Sequence, residues 1–183
     1  MPATKRGTAR RSQATTGDAP ATTDMPTATA LKLWVVLARA FDAISLVSKA
    51  DIERHDLTPA EFGVLELLHH KGPLLLGEVQ KRVLVSSGGV TFLVDRLEVR
   101  GFVERLACPS DRRARYAVLT KRGDKLMRDI FPGHAEAIRA ATAGLSRSQQ
   151  RDVTALLKTL GKQARQVALA TPGCRAAAES REA

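Results

Sequence analysis

The sequence predicts a mainly α fold of the α+β type, in which a run of helices is interrupted once by a short antiparallel hairpin. Three observations carry this. Apolar residues recur at helical spacing through most of the chain's middle. Thr58, Thr120 and Ser146 each stand where a helix N-cap is wanted. The apolar period shortens to that of strands at one place only, on either side of an arginine-rich turn.

Taken in order, residues 1–28 are rich in Ala, Thr, Gly and Pro, with Lys5, Arg6, Arg10 and Arg11 against Asp18 and Asp24. Such a segment lacks the apolar surface to order itself, so it is expected to be a disordered basic arm. LKLWVVLARAFDAISLVSKADIER follows, with Leu31, Trp34, Val35, Ala38, Phe41 and Ser45 on one helical stripe. Thr58-Pro59-Ala60-Glu61 is a capping box with Pro at the first helical position. The helix it opens, EFGVLELLHH, stops at Lys71-Gly72-Pro73, and LLLGEVQKRV gives a short helix. Ser86 or Ser87 caps another, in which Val90, Leu93, Val94 and Leu97 hold the helical spacing until Gly101. FVERLA and YAVLT are β-rich runs flanking the turn CPSDRRAR. Thr120 caps a long helix to about Ala143, disturbed at Pro132-Gly133, and Ser146-Arg147-Ser148-Gln149 is a second capping box. The residues from 169 to 183 read as a flexible tail.

Composition narrows the function. Of 183 residues, 29 are Lys or Arg and 19 Asp or Glu, a net charge of +10 that suits a polyanionic partner. Cys108 and Cys174 match no metal or redox spacing, as expected for a reducing cytoplasm. No apolar run is long enough for a membrane span, and the basic N-terminus has no apolar h-region behind it. Glu66, His69 and His70 could in principle meet a metal, but three such residues at a helix end read as surface, so no metal or cofactor is expected. No phosphate loop, nucleophile elbow or catalytic carboxylate pair is present, and the chain is not read as an enzyme.

Helix, short helix, helix, hairpin is the order of a winged helix-turn-helix. In such a module the second helix of the turn enters the major groove with its N-terminal end, whose residues must be small and polar. Ser86-Ser87-Gly88-Gly89-Val90-Thr91 meets that demand, although each helical glycine costs about 1 kcal/mol relative to Ala. Ser86, Ser87, Gly89 and Thr91 are therefore candidate DNA contacts, with Arg96 and with Phe92, which lies off the core stripe. The hairpin is then a wing lying along the DNA. Its tip carries Arg112, Arg113 and Arg115 toward phosphates or a narrow minor groove, Lys121 adds charge, and Asp111 shapes the tip by accepting turn amides or pairing with an arginine.

At these residues the sequence resembles the MarR family of bacterial transcription regulators. The resemblance rests on Asp111-x-Arg113 with Leu119-Thr120 and Gly123, and on SSGGVTFLVDRLEVRG, and it covers residues 30–168. It implies a homodimer binding double-stranded DNA. A DNA-binding module over about 57–120 would be flanked by dimerisation helices over about 29–54 and 121–168. It also implies a cytoplasmic, nucleoid-associated repressor of a pseudo-palindromic operator, relieved by a small effector. GPLLLGEV and IFPGHAEAI are similar to a group with quinone- and phenol-responsive members. The family's ligand pocket would fall at Phe62, His69, Met127 and Phe131. Two alternatives stay open: a thiol switch at Cys108, two residues from Leu106 on the same strand face, and a sequence-indifferent architectural DNA binder.

Overall fold

A computed structural model of the chain describes residues 24–83, 87–109 and 111–174; the Ser87 and Arg112 side chains lie outside it. In chain order the elements are α1 (Met25–Glu53), α2 (Pro59–Lys71), β1 (Leu74–Leu75), α3 (Leu76–Val83), α4 (Ser87–Val99), β2 (Val103–Cys108), β3 (Asp111–Leu119), α5 (Lys121–Ala141) and α6 (Arg147–Ala170). No helix among the described residues is long and apolar enough to cross a membrane.

The described residues divide into two compact units, one up to Ala38 and one from Arg39 onward. In the first, the described residues are helix, and Leu31, Leu33, Trp34, Val35 and Val36 are exposed. The helix starts at Met25, inside the stretch expected to be disordered. Asp24 accepts the Ala28 amide at 2.9 Å, and the Ala- and Thr-rich run beyond it supports a first turn. Residues 1–23 lie outside the described structure.

In the second unit, the core gathers Phe62, Val64, Leu65 and Leu68 of α2, Val79 of α3, Val90, Val94 and Leu97 of α4, Val103 and Ala117 of the sheet, and Met127 of α5. Each large apolar side chain removed from water stabilises by roughly 1.5–3 kcal/mol. The α2 cap is formed as expected: Thr58 Oγ1 accepts the Glu61 amide at 3.2 Å, and Glu61 Oε2 accepts the Thr58 amide at 2.8 Å. Gly101, at φ 72°, lets the chain leave α4 for the wing.

The sheet departs from the sequence expectation in two places. Leu74-Leu75, expected to be helical, forms a third strand by pairing with Ala117 and Tyr116, giving the order β1-β3-β2. A two-residue strand leaves no periodic trace; β3's free edge imposes it. The wing turn is also shorter than CPSDRRAR. β2 runs to Cys108 and β3 starts at Asp111, so Arg112, Arg113 and Arg115 stand on β3 rather than in the turn. Ala107 pairs with Arg115 but Cys108 with Asp111, so Arg112, Arg113 and Ala114 form a bulge on β3. The bulge breaks alternation in β2 as well. Cys108 is buried and Leu106 exposed, so the two do not share a face as the spacing suggested.

Wing and α5 are welded at the Leu119-Thr120-x-x-Gly123 segment. Thr120 Oγ1 donates to the Gly101 carbonyl at 2.7 Å and accepts the Gly123 amide at 3.1 Å, while the Thr120 amide donates to the Phe102 carbonyl at 3.0 Å. A Cβ at position 123 would lie 2.0 Å from that Phe102 carbonyl oxygen, so only glycine fits. Gly123→Ala is expected to destabilise the fold by about 2 kcal/mol or more, because the obstacle is backbone that cannot swing away. Urea unfolding of the variant measures it; a midpoint equal to wild type would disprove the close approach.

Candidate nucleic-acid interface

The interface is built around α4. Val90, Leu93, Val94 and Leu97 bury one face of it. Its flanks are held by charge. Glu61 is 0% exposed, and its Oε1 faces Arg96 at 3.2 Å and Arg100 at 3.6 Å. On the other flank, Arg105 of β2 reaches Asp95 Oδ1 at 2.7 Å, the Glu98 carboxylate, and the Thr91 carbonyl at 3.3 Å, while its amide donates to Glu98 Oε1 at 3.2 Å. Arg105 thus staples the wing to the helix. Nothing local in the sequence marks this part, because the acids that receive Arg105, at 95 and 98, lie on a different element.

What remains of α4 points outward. Phe92 is 59% exposed, with the Arg96 guanidinium 5.7 Å above its ring, and Thr91 is exposed beside it. Gly89 is half-buried in the first turn. Ser86 falls outside the described residues. Arg96, expected to face DNA, is drawn to Glu61 and stands at the edge of this surface.

On the wing, Arg113 and Arg115 are exposed. Asp111 Oδ1 accepts the Arg113 amide at 2.9 Å, an Asx turn that sets the backbone where β3 begins. Lys121 is exposed at the start of α5. The Phe102 ring, beneath the wing's root, has the Arg100 and Arg122 guanidiniums each 5.0 Å from its centroid, so Arg122 belongs to the module's framework.

The residues assigned to a ligand pocket are only partly together. His69, His70 and Phe131 cluster, with the His70 ring edge-on to Phe131 at 4.7 Å and His69 6.2 Å from it; His69 Nδ1 lies 3.5 Å from Asp124 Oδ1. Phe62 and Met127 are buried core residues. A groove of about 600 Å³ between α2 and α3 is lined by Ala60, Gly63, Leu67, His70, Arg82 and Val83 among others, and by none of those four. Among the described residues no group of three metal-ligating side chains forms.

His134, which had no evident partner in sequence, is buried with its Nδ1 3.0 Å from Asp51 Oδ2 and its ring 4.4 Å from that of Phe62. Arg54 also bonds Asp51. The pairing spans 83 residues, beyond any local pattern. Cys108 is buried, its Sγ 4.0 Å from the Tyr116 hydroxyl, which the thiol's proximity pushes up from its usual range.

A helix-turn-helix with an exposed second helix, flanked by an arginine-bearing wing, defines a DNA-binding module. Its relatives place it further. The MarR family model matches residues 57–114. The chain is 41% identical over 136 residues to the HTH-type transcriptional regulator MhqR of Bacillus subtilis (strain 168), covering 74% of this chain and 94% of that one. A MarR family transcriptional regulator from Streptomyces coelicolor, solved in complex with DNA, matches with a TM-score of 0.69 at 25% identity over 79% of this chain and 91% of that one. The Bordetella bronchiseptica regulator BpsR, whose DNA binding is regulated by 6-hydroxynicotinic acid, matches with a TM-score of 0.63 at 25% identity over 69% and 90%. The chain belongs to the MarR family: it is a DNA-binding transcription regulator and not an enzyme.

Two outcomes follow from this geometry. Arg105→Ala is expected to weaken specific DNA binding by about 1–3 kcal/mol while leaving the salt dependence of binding unchanged, because the side chain positions the wing and neutralises no phosphate. Anisotropy titrations at several salt concentrations decide it, and a slope reduced by about 0.9 would make Arg105 a phosphate contact instead. For Asp51, burial alone would raise its carboxyl, but the hydrogen bonds and charges of His134 and Arg54 hold it below its ordinary value. A carboxyl depressed on folding stabilises fully above its unfolded pKa, about 3.9, and loses that contribution as pH falls through the folded one. Wild type should therefore lose stability below about pH 5 more steeply than Asp51→Asn; parallel acid-unfolding curves would show that the Asp51 carboxyl makes no such contribution.

Proposed function

We propose that this chain acts as a dimeric repressor of a pseudo-palindromic operator and is released from it by a small phenolic or quinone-like molecule. The observation that carries the DNA reading is the orientation of α4. Core and charge clamps occupy the rest of its circumference, so the first turns with Thr91 and Phe92 are what it can offer a major groove. Ser86, Ser87, Gly89 and Thr91 would meet base edges, and Phe92 a thymine methyl. Arg112, Arg113 and Arg115 on β3, with Lys121, would meet the backbone or the adjacent minor groove.

Dimerisation is supported by apolar surface that one chain leaves uncovered. Trp34 and Val36 of α1 are exposed, and so are Leu156, Leu160 and Val167 of α6, a helix with no buried residue. A two-fold partner is the economical cover for each. The 6-hydroxynicotinic acid response of BpsR supports a small aromatic effector here, and the ring cluster of His69, His70 and Phe131, with Phe62 and Met127 behind it, is where we place it. An effector bound there would act by favouring a dimer whose two modules no longer match the groove spacing. The burial of Cys108 favours this over the thiol switch.

Arg113→Ala is expected to weaken operator binding by about 1–3 kcal/mol with fold and dimer intact. Thr91→Ala should instead lower the operator-to-random ratio more than it lowers random binding. Footprinting and competition titrations on the DNA flanking the protein's own gene test both; equal losses on the two DNAs for Thr91→Ala would show that α4 does not read sequence.

A further inference from the structure

The exposed cations of α5 and α6 are arranged differently. On α5, past Lys121 and Arg122 of its first turn, they are matched by acids one turn away: Lys125 with Asp129 at 2.5 Å, Arg128 with Asp124, and Arg139 with Glu136. This is the mixed-sign pattern of a helix face that meets only water. On α6 the cations are Arg147, Arg151, Lys158, Lys162 and Arg165, all exposed, against the single acid Asp152. Among the described residues Arg147, Arg151, Lys158 and Lys162 enter no ion pair. At 100° per residue all five cations fall within an arc of roughly 60°, and the line runs roughly 27 Å along the helix. Arg147, Arg151 and Lys158 also line one shallow groove with Gln150, Thr154 and Ala155. Val153, Leu156, Leu157, Leu160 and Val167 occupy the opposite side, centred roughly 200° away.

From this we infer that α6 carries a second DNA-binding surface, separate from α4 and the wing, which holds the phosphate backbone of a duplex without reading its sequence. Duplex DNA presents a charge about every 1.7 Å of its axis, so the row from Arg147 to Lys162, roughly 22 Å long and without an ion pair among the described residues, is its electrostatic complement. The row has little apolar side chain among it before Leu169, and insertion into a lipid surface would need the opposite, apolar face. That face is the one covered in the dimer proposed above, and on this point the choice of DNA over a membrane rests on that reading. A dimer would then hold its operator through the winged modules and a second segment of duplex through α6.

The test uses the full chain and a variant combining Arg151→Gln, Lys158→Gln and Lys162→Gln, all on an exposed helix face. Sedimentation with random-sequence 20-bp duplexes at about 50 mM salt should show more duplex bound per chain by wild type than by the variant. Three phosphate contacts imply a log–log salt slope of about 2.7, so the extra duplex should weaken roughly forty-fold between 50 and 200 mM. Arg113→Ala should keep it, and swapping Arg for Lys and Lys for Arg along α6 should keep it too. Equal duplex counts and equal slopes for wild type and the Gln variant would overturn the proposal and leave a solvated face. Loss of binding to phosphatidylserine vesicles with unchanged DNA counts would overturn it in favour of a lipid surface. A monomer in the DNA-free run would sink the dimer reading alone, since the count per chain still reports on α6.

Discussion

The module's geometry depends on a carboxylate that never sees water. Glu61 is drawn inward by its own capping box, where Oε2 accepts both the amide and the hydroxyl of Thr58. That leaves Oε1 buried, with no hydrogen bond of good geometry and with the charge of Arg96 and Arg100 beside it. An uncompensated buried carboxylate costs several kcal/mol, so the two guanidiniums are a condition of the fold and not an accessory to it. Arg96 is on α4 and Arg100 follows one turn later, just past its end, so their attachment fixes that helix's rotation about its axis. Core residues take one side, the Glu61 clamp a second, and Asp95 and Glu98, reaching Arg105, a third. Phe92 and Val99 are left on the fourth.

The same logic continues into the wing and α5. Arg105 makes the hairpin follow α4, and Phe102, between Arg100 and Arg122, ties the α4 exit to the first turn of α5. Thr120 and Gly123 close the joint, since the α5 backbone rests directly on the Phe102 carbonyl. A displacement of α5 is therefore a displacement of the wing's root. His134 and Asp51, further along α5 and on α1, make that helix a single lever between a buried polar pair and the wing.

What was legible in the sequence is what depends on neighbours in sequence. The capping boxes at Thr58 and Ser146, the α4 stripe and the exposure of Phe92 follow from spacing alone, and the structure has each of them. What was not legible is pairing over distance. Leu74-Leu75 is a strand only because β3 lies beside it, and Cys108 is buried only because a bulge across the hairpin breaks alternation. Arg96 reads as charge for DNA, but its partner Glu61 stands on another element. His134 was passed over because Asp51 is 83 residues away. The start of α1 at Met25 is not legible because its Ala, Thr and Pro share the composition of the stretch before it.

The case of Arg96 bears on how basic proteins are understood. A net charge of +10 counts every cation equally, yet the structure divides them. Arg96, Arg100 and Arg105 hold the module's parts together against Glu61, Asp95 and Glu98. Lys125, Arg128 and Arg139 are matched on α5 by their own acids. Counterion release counts only charges that meet phosphate, so none of these six adds to it while so engaged. The charge available to a polyanion is concentrated where acids are scarce, on the exposed strand of the wing and along one face of α6. Neutralisation by neighbours, more than the number of arginines, decides which surfaces of this chain can meet DNA.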